Sequence, residues 1–449
     1  MIIPDLEIAL PFNFIPRDYQ VPPLAALDDG MKRILMCWHR RAGKEKTLIN
    51  YTAGAMYDRV GTYFYLFPTY AQGKKAIWDG KDRDGFPFIS HFPDQLVAKR
   101  NSSELKIEYH NGSVFQLVGS DNIDTLMSTN PIGCVFAEYS LQDPAAWEFI
   151  RPILLENGGW AAFDYTPRGK NHGYDLYEMA RNNPDWFVSR LTVDDTRRPD
   201  GTPVITPEMI ESERREGVSE EMIQQEYYVS FEGVMEGSYY GKQLEEARKD
   251  GRIARMPYDP ALGVETWWDI GMGDATAIWF TQTIRNEIHV IDYLEGAGEM
   301  MSYYAKELQK KPYVYSAHHG PHDLEVREWA QAGTEGEPKT RKQIAKALGI
   351  DFHLVPNLSI DDGINAGRSI MARCIFDAEK CKRGLSALAS YHKEYNTKTK
   401  MFQSYPHHDW SSNGADGWRY FAVGHKSAKL KLPPKQGSTS QGGGTFMGA

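Results

Sequence analysis

The Gly-Lys pair at Gly43 and Lys44 constrains the fold most, because it lies between a short apolar run at residues 34–36 and a segment with helical character. A loop in this position turns backbone N–H groups and a helix N-terminus toward phosphate, and the lysine ammonium adds positive charge. The pattern therefore predicts a phosphate-binding loop between a strand and a helix. Nucleotide hydrolysis becomes the first functional hypothesis.

The loop departs from the usual phosphate-loop pattern at two positions. Trp38 stands where the pattern has its first glycine, and Glu45 stands where it has a hydroxyl residue. Taken alone, a Gly-Lys pair after an apolar run is more often an ordinary strand-to-helix turn. The candidate nucleotide-binding residues belong to this loop or, in one case, to a segment upstream that includes an aromatic ring: Gln20, Arg41, Gly43, Lys44, Glu45 and Thr47.

Four further apolar runs alternate with helix-like stretches. They lie at residues 63–67, 114–118, 133–136 and 160–163. Continuous apolar runs of this length are typical of buried strands in a largely parallel sheet with crossover helices. Residues 1–195 are therefore predicted to form an α/β nucleotide-binding domain.

The rest of the chain divides by composition. A charged stretch contains Thr206 followed by proline, a good helix start, and residues 196–255 are predicted to be a helical connector. A strand at residues 265–271 opens a second α/β domain, which we place at residues 256–426. Residues 427–449 are rich in lysine, glycine and serine and are predicted to be a disordered basic tail.

Size and charge narrow the class of protein. A chain of 449 residues is too long for one ordinary core. No apolar run approaches the length of a bilayer span, and the N-terminal sequence lacks the features of a signal peptide, so we expect the protein in the cytoplasm. The net charge of −9 argues against a protein that coats DNA through a general basic excess. Four scattered cysteines favour buried thiols over a zinc or redox centre.

Glu138 is the candidate catalytic acid of the nucleotide site. It follows the apolar run at residues 133–136, where a carboxylate on a strand end can position the attacking water. Such sites commonly carry a second acid, for the metal, one residue earlier, but that residue here is Ala137. Glu45, Thr47 and a water network remain alternatives for this role.

Thr166 and Arg168 follow the predicted strand at residues 160–163. They bring a hydroxyl group and a cation to the edge of the sheet where ligands bind in open α/β folds. We expect both side chains near the phosphates.

Three aspartates on separate segments of the second domain suggest a different chemistry. Asp269 ends a predicted strand, while Asp323 and Asp416 lie far downstream. Phosphodiester hydrolysis by two metal ions requires several converging carboxylates, and an oxygen-rich site selects Mg²⁺ or Mn²⁺. Each aspartate alone is equally typical of a turn. Secondary candidates lie near them in the chain: Asp274, Asp409 and His408.

Three segments resemble one known family. Residues 67–72, 135–140 and 166–169 have the order and spacing seen in the large terminase subunits of tailed bacteriophages, and the likeness covers nearly the whole chain. The resemblance implies an additional-strand ATPase domain joined to a nuclease of the ribonuclease H type, which together package DNA into empty capsids. It implies that Lys44 binds phosphate, that Glu138 orients the hydrolytic water and that Thr166 couples hydrolysis to movement. It also assigns the metal ligands: Asp269, Asp323 and Asp416.

The same resemblance implies cofactors and partners. These are ATP, Mg²⁺ or Mn²⁺, double-stranded DNA, a small terminase subunit, the portal protein of the procapsid and further copies in a ring, commonly a pentamer. Many family members carry an arginine shortly before the catalytic strand that reaches a neighbouring subunit's ATP, whereas residues 124–128 contain Met127 and no arginine. Other arginines are candidates for this function, with Arg41 favoured for a role within its own subunit: Arg40, Arg41, Arg100 and Arg168.

Three functional hypotheses follow. The leading one is a DNA-packaging ATPase with a built-in endonuclease in the host cytoplasm. The second is a metal-dependent nuclease whose nucleotide module binds ATP as a switch, and the departures at Trp38, Glu45 and Ala137 favour it. The third is a non-enzymatic assembly protein whose tail contacts a capsid.

Overall fold

The computed structural model describes residues 10, 12–121, 129–233, 237–271, 275–325, 340–396 and 401–430. The chain divides into two compact units. The first comprises Met1–Glu246 and Leu385–Ser412, and the second comprises Ala247–Gly384 and Asn413–Ala449. Among the described residues, no helix combines the length and the apolar character needed to cross a bilayer.

An eight-stranded sheet forms the centre of the first unit. Its strands are β1 (Arg33–Trp38), β2 (Thr62–Phe67), β3 (Val97–Asn101), β4 (Lys106–Tyr109), β5 (Val114–Gly119), β6 (Pro131–Ala137), β7 (Trp160–Tyr165) and β8 (Phe187–Leu191). They lie in the order β3-β4-β5-β2-β6-β7-β1-β8. All pairings from β5 to β8 are parallel, and only β3 and β4 run antiparallel to their neighbours. Strand β7 thus lies between β1, which precedes the predicted phosphate loop, and β6, which precedes Glu138.

Helices cover both faces of this sheet. The helices up to residue 226 are α1 (Val21–Asp28), α2 (Lys44–Asp58), α3 (Tyr70–Gly73), α4 (Ala145–Glu156), α5 (His172–Ala180), α6 (Pro207–Arg215) and α7 (Glu220–Glu226). Of these, α6 and α7 pack in a small separate cluster. The predicted start of α6 is confirmed, since Thr206 Oγ1 accepts a hydrogen bond from the N–H of Met209. The predicted helical stretch is interrupted after α6 by Gly217, whose φ of 89° is left-handed and suits glycine.

The strands are apolar throughout because both faces of the sheet are buried. Ile34 and Met36 of β1 pack in a cluster with Leu48 of α2, whereas Leu35 and Cys37 pack in a second cluster on the opposite face. The four strands predicted from apolar runs are confirmed as β2, β5, β6 and β7. All four cysteines are buried free thiols, as predicted.

The second unit contains a seven-stranded sheet. Its strands are β9 (Ile253–Ala254), β10 (Val264–Asp269), β11 (Ala275–Ile284), β12 (Glu287–Ala297), β13 (Tyr315–Gly320), β14 (Phe352–Leu354) and β15 (Cys374–Asp377). They lie in the order β14-β13-β10-β11-β12-β15-β9. Strands β10, β11 and β12 form an antiparallel meander, β13 runs parallel to β10, and β14 runs parallel to β13. This is the strand arrangement of the ribonuclease H fold, and the predicted fold class is confirmed.

The remaining elements are α8 (Gly241–Lys249), α9 (Met301–Lys310), α10 (Arg341–Ala347), α11 (Ile360–Met371), α12 (Lys382–Ser390), α13 (Ser411–Leu430) and a two-stranded sheet of β16 (Lys393–Asn396) and β17 (Met401–Pro406). Helix α13 continues through the first four residues of the predicted tail. Residues 431–449 lie outside the described residues, as do Met127 and Asp274.

Candidate ATP site and acidic nuclease site

The predicted phosphate loop connects β1 to α2. Gly43 immediately precedes α2 with a left-handed φ of 85°, and a Cβ atom at this position would lie 3.0 Å from Gln20 Nε2. Arg41 is also left-handed, with a φ of 69°. Two left-handed residues in three turn the chain sharply from the strand into the N-terminus of α2, which is the geometry that favours an anion.

Lys44 is buried at the start of α2. Its Nζ donates to the carbonyl oxygen of Trp38 at 3.4 Å and to Thr166 Oγ1 at 3.3 Å. Burial lowers the pKa of Lys44, but the carboxylates of Glu138 and Glu45 outweigh burial and raise the pKa above its usual value. The ammonium is therefore charged and is held between the loop and the residue after β7.

Glu138 is the first residue after β6 and has a left-handed φ of 53°. Burial raises the pKa of its carboxyl group, Lys44 opposes this rise, and Glu45 adds to it. Glu138 Oε2 is buried without a hydrogen-bond partner among the described residues. A carboxylate held beside a lysine, with one oxygen unengaged, is suited to accept a hydrogen bond from a water molecule.

Gln20 and Thr47 stabilise the phosphate loop through hydrogen bonds. Gln20 Nε2 donates to Thr47 Oγ1 at 2.8 Å and to the carbonyl oxygen of Gly43 at 3.3 Å, and Thr47 Oγ1 donates to the same carbonyl at 3.0 Å. Upstream, the Tyr19 hydroxyl donates to the carbonyl of Ala42 at 2.8 Å. Gln20 is buried rather than a surface residue, and the hydroxyl of Thr47 is engaged within α2.

Asp164 is an acidic residue of this site that the sequence analysis did not identify. It lies inside β7, where Ala137 of β6 is its register partner, and it is completely buried. Burial raises its pKa well above the usual value; Glu45 and Glu138 raise it further, while Lys44 opposes them. Asp164 was not predicted as a site residue because it lies inside an apolar strand, and only the residues after the strand were expected to reach the ligand.

Glu226, at the end of α7, was also missed. Its carboxylate forms an ion pair with Arg168 and lies 3.8 Å from the Arg40 guanidinium, and its backbone carbonyl accepts the N–H of Arg40 at 2.9 Å. Burial raises the pKa of Glu226, but Arg168 outweighs burial and the pKa is lowered. The connector region therefore contributes a buried acid that links the phosphate loop to the segment after β7.

The Glu226 ion pair has an expected effect on stability. The substitution Glu226→Gln leaves the buried Arg168 guanidinium without its counter-charge, which lowers the free energy of unfolding by about 3 kcal/mol. Urea unfolding measures this loss. The control is Glu211→Gln, whose exposed pair with Arg214 is screened by solvent and is expected to contribute little to stability. Equal losses in the two variants would contradict the account.

His39, at the start of the phosphate loop, forms hydrogen bonds through both ring nitrogens. Its Nδ1 lies 2.6 Å from the carbonyl of Arg40, and its Nε2 lies 2.7 Å from Thr196 Oγ1. A carbonyl only accepts hydrogen bonds, so Nδ1 carries the proton and Nε2 accepts from the threonine. Burial lowers the pKa of His39 to about 4.

This histidine makes stability depend on pH. The unfolded chain, in which a histidine has a pKa of about 6.5, binds the proton more tightly than the folded chain. Stability is therefore lost as the pH falls from about 6.5 through about 4, by up to about 3 kcal/mol. We expect His39→Gln to lose less stability than the wild type over this window, as measured by urea unfolding. If both proteins lost the same amount of stability as the pH falls, His39 would not be the cause of the pH dependence.

The candidate arginines differ in their surroundings. Arg40 and Arg41 are exposed at the loop, whereas Arg168 is held by Glu226. Arg100 lies on β3, at the edge of the sheet, and pairs with Asp94 at 2.6 Å. Arg40 and Arg41 are thus the candidates placed beside the phosphate loop with exposed side chains.

The three predicted metal acids of the second unit all act electrostatically on one tyrosine. Asp269 is the last residue of β10, Asp323 lies in a short helical turn after β13, and Asp416 lies in α13. Burial is the largest cause that raises the pKa of Tyr420, and all three carboxylates raise it further. The fold thus brings residues from three distant segments into one neighbourhood.

The three acids have different immediate partners. Asp416 Oδ1 accepts from Arg419 Nε at 2.9 Å, and Asp323 Oδ1 is buried without a hydrogen-bond partner among the described residues. Within the part of the chain that the structure describes, no three His, Cys, Asp or Glu side chains are arranged to hold a metal ion on their own. Carboxylate oxygens are nevertheless the donors that Mg²⁺ and Mn²⁺ prefer.

Of the secondary candidates, Asp409 has a defined structural role. Asp409 Oδ1 accepts the N–H of Ser411 at 2.9 Å and so caps the start of α13. His408 is exposed, and Asp274 falls outside the described residues.

Comparison with known proteins gives one clear sequence relationship. No family model matches the chain. The large terminase subunit of Escherichia phage T5 is 24% identical over 430 residues, which cover 90% of each protein. Among solved structures, a large terminase from a thermophilic bacteriophage matches 90% of this chain and 98% of its own, with 14% identity and a TM-score of 0.40. The ATPase domain of the Thermus phage P74-26 large terminase matches 49% of this chain and 94% of its own, with 20% identity and a TM-score of 0.40. The sequence relationship confirms the predicted resemblance: over most of its length, the chain is similar to the large terminase subunit of a bacteriophage.

Proposed function

We propose that the first unit hydrolyses ATP. The observation that carries this proposal is the arrangement of Lys44, Thr166 and Glu138 at the carboxyl edge of a parallel sheet. A charged lysine at a helix N-terminus, a hydroxyl group and a partly unengaged carboxylate are the groups needed to hold a triphosphate and position water.

Each residue has a defined task in this reaction. Lys44 and the N-terminus of α2 bind the phosphates and stabilise the charge that develops on the γ-phosphoryl group. Glu138 orients the attacking water, and its raised pKa brings it closer to the range of a useful general base. Mg²⁺, when bound, neutralises phosphate charge. Thr166 accepts a hydrogen bond from Lys44, which supports a role for Thr166 in sensing the loss of the γ-phosphate.

We infer that hydrolysis drives translocation of double-stranded DNA into a procapsid. The name of the phage T5 relative supports this function. The buried Arg168–Glu226 pair provides a physical connection, because it joins the segment after β7 to the phosphate loop. The partners that this function requires are the portal protein, a small terminase subunit and further copies of the chain in a ring, commonly five, in the host cytoplasm.

The second unit is proposed to cut concatemeric DNA with two metal ions. Asp269, Asp323 and Asp416 would hold the ions, which activate a water molecule and stabilise the leaving oxygen. The carboxylates supply oxygen donors from three separate elements, and all three raise the pKa of Tyr420. Arg419, which now neutralises Asp416, is positioned to influence the charge of this site.

A packaging assay tests the proposed function as a whole. Purified protein, portal-bearing procapsids and linear DNA are incubated with ATP, and packaged DNA is measured by its protection from added nuclease. We expect protection with ATP and none with ATPγS. The competing hypothesis, a nuclease with an ATP-binding switch, is favoured by Glu45 and Ala137 at positions that usually assist the metal. Under that hypothesis, DNA is cut but never protected.

A further inference from the structure

Asp164 occupies an unusual position for an acidic residue. It lies inside β7, and its register partners are Met36 on one side and Ala137 on the other. Register partners in neighbouring parallel strands point to the same face of a sheet. Met36 and Ala137 both belong to the buried cluster that contains Leu48 of α2. Asp164 therefore lies on the face that α2 covers, beneath the start of that helix.

The carboxylate has no matching donor. Neither oxygen of Asp164 has a hydrogen bond of normal geometry to any described residue, and the backbone N–H of Glu138 provides only a weaker stabilisation. The buried hydroxyl of Tyr65 and Oε2 of Glu138 likewise have no hydrogen-bond partner among the described residues. Buried polar groups without partners are costly, so a cluster of them indicates a site that is completed by a ligand.

Charge indicates the kind of ligand. Four carboxyl groups, those of Glu138, Glu45, Asp164 and Glu226, act on the ammonium group of Lys44, and Arg168 neutralises that of Glu226. The three remaining carboxyl groups cannot all be ionised against one lysine beside a bare triphosphate, although the loop geometry favours phosphate. A divalent cation placed with the triphosphate removes this conflict, because it neutralises both the phosphates and the carboxylates.

The usual protein groups for that cation are missing from their usual places. Position 45 is a glutamate rather than a hydroxyl residue, Ala137 has no ligand atom, and the hydroxyl of Thr47 is engaged by Gln20 and its own helix. Asp164 is the register neighbour of Ala137, on the strand that lies between β6 and the loop strand β1. The missing carboxylate is thus present one strand closer to the phosphate loop.

We propose that Asp164, together with Glu45, holds the hydrated Mg²⁺ that accompanies the nucleotide. The proposal rests on the function proposed above for the first unit. Mg²⁺ retains several of its waters and is commonly held by one or two carboxylates in addition to substrate phosphates, so two acids are sufficient. Asp164 then supplies, from the neighbouring strand, the carboxylate that Ala137 lacks. Glu45 supplies a second carboxylate in place of the hydroxyl group that is usual at its position.

Equilibrium binding of ATPγS tests this assignment without relying on turnover. Affinity is measured for the wild type and for Asp164→Asn, first with EDTA and then with saturating Mg²⁺. In the wild type, Mg²⁺ strengthens binding. In Asp164→Asn, we expect the strengthening by Mg²⁺ to fall by about 10–100-fold, while binding in EDTA is unchanged or tighter because a repelling carboxylate is gone.

Two further variants complete the experiment. Ala137→Asp combined with Asp164→Asn returns a carboxylate to the neighbouring strand and is expected to restore part of the Mg²⁺ effect. Asp164→Ala provides a second replacement of different shape, so that a folding defect in one variant leaves the other to decide. Glu108→Gln, at an exposed pair with Lys106 on β4, serves as a control with the wild-type Mg²⁺ effect.

The outcomes separate this inference from the proposed function. The inference is overturned if both replacements of Asp164 retain the full strengthening by Mg²⁺. Failure of the wild type to bind ATPγS under either condition would instead contradict the ATP site itself.

Discussion

The substitution Lys44→Ala is expected to lower kcat/KM for ATP hydrolysis by about 10²–10³-fold. Lys44 is the buried cation of the phosphate loop, and its charge is maintained by the surrounding carboxylates. Its removal takes a positive charge from the phosphates and also leaves these carboxylates uncompensated. Phosphate release at several ATP concentrations measures the effect.

Lys46→Ala is the matched control for this substitution. Lys46 lies two residues further along the same helix, but its Nζ pairs with Asp82 at 2.7 Å rather than with the loop. We expect near wild-type turnover from it. If Lys44→Ala and Lys46→Ala behave alike, the lysine of the Gly-Lys pair does not contact the nucleotide.

The substitution Asp269→Asn is expected to reduce cleavage of plasmid DNA by about 10²–10³-fold, because one of the converging carboxylates of a two-metal site loses its charge. ATP hydrolysis is expected to remain at the wild-type rate, because the substituted residue belongs to the other compact unit. EDTA is expected to abolish cleavage by the wild type. Gel electrophoresis and phosphate release measure the two activities on the same preparation.

Asp351→Asn is the control for the second unit. Asp351 is exposed and pairs with Lys346 at 3.1 Å, so its replacement removes the same charge from the surface. The assignment of Asp269 fails if Asp269→Asn cuts DNA as fast as Asp351→Asn does. Loss of ATP hydrolysis in Asp269→Asn would contradict the separation of the two activities.

Apolar runs and strand-end positions were sufficient to predict much of the fold. A parallel strand buried on both faces is apolar along its whole length, and this pattern identified β2, β5, β6 and β7. It also placed Glu138 directly after β6, where the structure has it. The short antiparallel strand β4 alternates between buried and half-buried residues and was not predicted.

The residues of the candidate ATP site that were not predicted from the sequence share a physical explanation. Asp164 lies within a strand, where an acid is not expected to reach a ligand, and its partners come from other strands and from α2. Glu226 pairs with a residue 58 positions away, and His39 reaches Thr196 across 157 positions. Contacts over such separations depend on the completed fold, so no local sequence pattern predicts them.

We propose that Glu138 turns a nucleotide-binding loop into a hydrolytic site. Single-turnover release of γ-phosphate from prebound ATP tests it most directly, in the wild type and in Glu138→Gln. We expect both proteins to bind ATP with similar affinity, and we expect Glu138→Gln to release phosphate about 10²–10³-fold more slowly. A wild type that binds ATP without releasing phosphate, or a Glu138→Gln variant that releases it at the wild-type rate, would contradict the account.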